Sequence, residues 1–132
     1  MRYYLTILFL LLLVAVDASG DAFRMSGWLP LSHSMESVLI IGFFLLWAKS
    51  GFKWQYILLY FLGRIWLFDI VHNLITHKGV LYMGMNDYMG RSVIWFADLV
   101  GQNYLNFSFV IKFMALFTWV GLSIKYSDER SY

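Results

Sequence analysis

Four charged residues stand inside stretches that are otherwise apolar: Glu36, Arg64, Asp69 and Lys112. An ionised side chain surrounded by hydrocarbon is costly, so such groups face a protein interior or water and take a partner. Arg64 and Asp69 are five positions apart, about 140° around a helix, and are poorly placed to pair with each other. The sequence therefore predicts two interhelical pairs, Asp69 with Lys112 and Glu36 with Arg64. The four charges of this buried cluster sum to zero. Such a cluster either fixes the register of packed helices or serves as a proton or ion relay or a ligand site.

A second group could bind metal. Asp69, His72, Asn73 and Thr76 fall within about 100° of one another at helical spacing. His77 lies just beyond, and His33 stands at the start of another apolar stretch on the same side. Imidazole and carboxylate suit zinc or a related divalent ion. Met83, Met85 and Met89 in the neighbouring loop would suit Cu(I). Against this, His72 and His77 diverge by about 140° on an intact helix. A b-type haem held by His33 and His72 is a further possibility, although both lie shallow for it. The bland alternative is a set of interfacial polar groups satisfied by water and headgroups. No cofactor is predicted.

These residues must be positioned by membrane helices. The chain has 132 residues, is 61 % hydrophobic and 20 % aromatic, and has only 14 % charged residues. A soluble domain runs about 45–50 % apolar and about 25 % charged. With no cysteine, disulfide scaffolds and thiolate chemistry are excluded. The net charge of +2 and the scattered basic residues give no nucleic-acid footprint.

The apolar blocks approach the ~20 residues that a helix needs to cross a bilayer. The expectation is an all-α, small multi-pass helical membrane bundle forming a single domain. Its three firm transmembrane helices are predicted at 30–49, 54–77 and 105–125. An N-terminal hydrophobic helix, about 3–18, reads either as a retained span or as a signal peptide, with Asp17 and Asp21 in the loop after it. A short interfacial helix is predicted at 91–101, too short to span. Helices two and three form an antiparallel hairpin because only Ser50-Gly51-Phe52-Lys53 joins them.

At 1.5 Å per residue, Asp69 and Lys112 lie roughly 6–8 Å below one surface, Glu36 about 9 Å and Arg64 about 13 Å. Arg2, Lys49, Lys53, Lys125 and Arg130 gather at the other end. The positive-inside rule then makes the C-terminus cytoplasmic and puts the loop 79–90 on the opposite side. That loop is apolar and aromatic, as if it packed on the bundle or on a partner.

No phosphate loop, Gly-x-Ser-x-Gly or His-Glu-x-x-His is present, and no inverted repeat is visible. The first functional expectation is a small non-enzymatic accessory or structural subunit, in contact with the lipid bilayer and with other membrane subunits or itself. The second is a small ion, proton or metal/redox component using Asp69, His72 and the 79–90 loop.

Overall fold

The computed structural model describes residues 3–51, 53–79 and 88–128. Residues 80–87, which include Met83 and Met85, and the side chain of Met89 lie outside the described set, as does the expected packing of their loop. Among the described residues there are helices and no strands. They are α1 (Tyr3–Met25), α2 (Leu29–Ser50), α3 (Trp54–Gly63), a wide π-helical stretch (Arg64–Phe68), α4 (Asp69–Ile75), α5 (Tyr88–Leu99) and α6 (Tyr104–Asp128). The pieces from Trp54 to Ile75 form one continuous span. Four helices are long and apolar enough to cross a membrane: α1, α2, the Trp54–Ile75 span and α6. The protein is an all-α bundle of the multi-pass membrane kind.

The sequence sets the ends. Pro30 occupies the first turn of α2, where a missing N–H leaves no broken bond. Gly51 ends that helix at φ 70°, a conformation a side chain would disfavour, and its N–H donates to Trp47 O at 2.9 Å. The third span stops at Ile75, short of the expected residue 77, because His77 itself takes a left-handed backbone at φ 56°.

The largest departure is α1. It continues seven residues past Ala18 to Met25, so Asp17, Asp21 and Arg24 are helical. It is also the most buried of the four long helices. Leu10, Leu13, Val14, Ala18 and Ala22 are enclosed, and α2, the third span and α6 all gather round it. Small residues permit the close approach, as is usual where lipid supplies no hydrophobic drive between helices. A methyl at Gly42 of α2 would collide with Leu13, and one at Gly63 would meet Val14 at 3.2 Å.

By contrast, α2 packs on α1 alone: no Cα of α2 comes within 8 Å of the third span. Only side chains bridge that gap, as where Phe43 meets the Tyr60 ring edge-on at 4.8 Å. Elsewhere α6 is tied to α3 by the Trp119 indole, which donates to Leu59 O at 3.0 Å. α5 packs on α6 through Val93 and Ala97 and exposes Trp95, Phe96 and Leu99. The start of α1, the α2–α3 turn and the end of α6 share one end of the bundle. There Ser127 Oγ donates to Tyr4 OH at 3.1 Å, and Trp54 and Tyr126 are in ring contact.

Candidate functional site

Asp17, Asp21 and Arg24 follow one another at i, i+4 and i+7, so they share a face of α1. Gly20 on the same face lets α2 approach, with Met35 3.1 Å from where its methyl would be. Across from this face stand Glu36 and Leu39 of α2 and Arg64 and Phe68 of the π-helical stretch. Because α2 and the third span do not touch at the backbone, a cleft of about 370 Å³ opens between them, lined by these residues.

The charges in the cleft are paired. Asp17 Oδ2 accepts from Arg64 Nε at 2.9 Å and from the Tyr60 hydroxyl at 2.8 Å. The Arg64 guanidinium also lies on the Phe68 ring, 4.6 Å from its centre, a cation–π contact that leaves the group partly open to the cleft. Arg24 forms an ion pair with Glu36. Glu36 receives a further contact from His33 Nδ1 at 3.2 Å. Asp21 has a looser neighbour: His72 Nε2 is 3.6 Å from its Oδ2, outside hydrogen-bond reach. His72 is buried and stacked on Phe68. Its main-chain oxygen accepts from Thr76 Oγ1 at 2.9 Å.

On the other side of the third span, Lys112 Nζ lies 2.8 Å from Asp69 Oδ2. This lysine is only 6 % exposed. A buried ammonium needs such a counter-charge.

The structure thus brings Asp69 and Lys112 together but keeps Glu36 and Arg64 apart. The second expected pair is corrected: α1 packs against both helices and meets each charge with its own, Asp17 for Arg64 and Arg24 for Glu36. Of the four expected members of a buried cluster, only Lys112 is buried; Glu36, Arg64 and Asp69 are partly exposed.

The metal and haem candidates are dispersed. His33 sits against Glu36, His72 against Asp21, Asp69 against Lys112, and His77 is exposed past the helix end. Among the described residues no three His, Asp or Glu side chains form a group that could hold a metal. Sequence reasoning missed Asp17, Asp21, Arg24 and Tyr60. The available signal was the helical spacing of the first three, which continues the period of Leu10, Leu13 and Val14.

Comparison with protein-family profiles, with curated proteins and with solved structures returns no match, so the chemistry of the cleft rests on its own geometry.

Proposed function

We propose that this protein is a small non-enzymatic accessory subunit of a membrane assembly, and that its working part is the cleft between α2 and the third span. The cleft holds a small charged group at a depth where hydrocarbon would reject it. What supports this reading is one observation: three carboxylates and two guanidiniums line a space of about 370 Å³ inside a bundle of membrane-length helices. An ionisable side chain that faces a cavity within a membrane span is by default a candidate functional residue. The groups are paired side by side, and none is arranged as nucleophile and base, which favours binding over bond-making. Ion or proton passage through Asp69 and His72 is the weaker reading, because Lys112 already neutralises Asp69.

The retained first helix belongs to this reading, since it supplies Asp17, Asp21 and Arg24. So does orientation: Lys49, Lys53 and Lys125 lie at the end away from the cleft, which the positive-inside rule makes cytoplasmic.

The chain has no cysteine, so single-cysteine accessibility tests the cleft directly. Leu39 lines it, whereas Ile41 is 58 % exposed and lines neither this cleft nor any other cavity described. In detergent after removal of lipid, Leu39→Cys is expected to react with a water-soluble thiol reagent at least tenfold faster than Ile41→Cys. Equal protection of both would remove the water-filled cleft and the proposal with it.

A further inference from the structure

The gap between α2 and the third span does not end at the charged cleft. Toward the α2–α3 turn a second cavity, also about 370 Å³, opens in the same groove. Apart from Lys53 its lining is apolar and aromatic, with Ile40, Phe43, Phe44 and Trp47 from α2 and Ile57 from α3. The Phe43–Tyr60 contact separates the two cavities. One groove thus has a charged compartment above and an oily one below, and no described helix closes it from the side.

The amino-acid pattern of α2 divides at the same level. Ser32, His33, Ser34, Glu36 and Ser37 occupy its first part, and Val38 to Ala48 is unbroken apolar sequence. The serines Ser34 and Ser37 turn inward to the carbonyls of Pro30 and His33. The apolar part is about 16 Å long at 1.5 Å per residue, close to the ~15 Å of one hydrocarbon leaflet. The charged compartment therefore lies in the half of the bundle toward the α1–α2 turn, reaching from Arg24 near the end of α1 to Arg64 midway along the third span, and the oily one lies in the other half, at acyl-chain level.

Charge narrows the headgroup. Asp17, Asp21 and Glu36 face Arg24 and Arg64, three carboxylates against two guanidiniums. Asp17 and Glu36 each have an arginine. Asp21 has none; its neighbour is the buried His72, whose Nε2 makes no hydrogen bond among the described residues. The unmatched carboxylate asks for a cation with N–H donors. The nearby Arg24 and Arg64 suit an anionic group a few atoms away.

We infer that the groove takes one membrane lipid whose headgroup carries a primary ammonium beside a phosphate, with the ammonium on Asp21 and a tail lying between α2 and the third span. This rests on the binding role assigned to the cleft. It adds the ligand class and a lateral route of entry from the bilayer.

Three probes test it on the full-length chain purified in dodecyl maltoside, with retained lipid counted by native mass spectrometry. They are palmitoyl-oleoyl phosphatidylethanolamine, the matching phosphatidylcholine, and water-soluble phosphoethanolamine. The ethanolamine lipid is expected to bind saturably at one per chain. The choline lipid is expected to bind at least tenfold more weakly, because its methylated nitrogen cannot donate to a carboxylate. Phosphoethanolamine, with no tail, is expected to show no binding at millimolar concentration. Asp21→Asn should lower ethanolamine-lipid affinity at least tenfold, and Asp21→Glu should recover most of it.

Equal binding of the two lipids, or an unchanged affinity in Asp21→Asn, overturns the assignment in favour of unspecific annular lipid. Binding of phosphoethanolamine as tight as the lipid overturns the tail site. A membrane polypeptide that protects the groove in place of lipid overturns it too. If no lipid binds while Leu39→Cys is still labelled by the water-soluble reagent, the cleft stands and only the lipid falls. If Leu39→Cys is also protected, both fall.

Discussion

Asp69 and Lys112 are the residues whose roles can be separated most cleanly. The lysine is buried and the carboxylate is its counter-charge. Removing one member of such a pair leaves an uncompensated charge, which costs roughly 3 kcal/mol, whereas removing both is often close to neutral. Asp69→Asn is therefore expected to lower the thermal midpoint in detergent well below that of Asp69→Asn combined with Lys112→Met. A double variant no better than the worse single one would show that the contact contributes nothing. This pair was legible in the sequence because the two residues stand in different apolar stretches at a matching depth from the same end, while Arg64, five positions from Asp69, points away from it. The partners of Arg64 and Glu36 were not legible. The run Asp17-Ala18-Ser19-Gly20-Asp21 has the small, polar composition of a loop or a cleavage site. In the bundle its parts are helical: Ser19 Oγ bonds back to Ala15 O at 2.7 Å, Gly20 admits Met35, and the two aspartates meet the third span.

Among the elements, the α1–α2 contact depends on a missing side chain. Gly42 lies against Leu13, with no room for a methyl. Gly42→Leu is expected to destabilise the bundle by about 1–3 kcal/mol, the usual effect of overpacking a tight interface. Gly121→Ala on α6, where nothing lies within 4 Å, should be neutral or slightly stabilising. Unfolding followed by circular dichroism in detergent compares the two. Helix positions were readable from runs of apolar residues, and α2 begins and ends within one residue of expectation. The π-helical stretch was not, because hydrophobic periodicity carries no mark of an i→i+5 turn. Yet this stretch begins at Arg64 and ends just before Asp69, the two charges that face different neighbours, α1 and α6.

For the molecule as a whole, α1 is the centre and the other long helices are arranged about it. Removing it would expose Leu59 and Tyr60 and leave Arg64 and His72 without Asp17 and Asp21. The intact mass of protein isolated from membranes is therefore expected to include α1. A mature species beginning after Ala18 or Gly20, with Leu39→Cys still solvent-labelled, would contradict that placement. The order of synthesis gives this central position a further consequence. α1, with Asp17 and Asp21, is synthesised before the third span, and Arg64 follows 47 positions after Asp17. An aspartate near the middle of a nascent helix opposes insertion by about 2.5–3.5 kcal/mol. The apolar run from Leu5 to Val16 offsets that cost, and Arg64 neutralises the aspartate once the third span packs against α1. The Asp17–Arg64 pair therefore couples the packing of the third span to that of α1, since either charge alone would stay uncompensated inside the bundle.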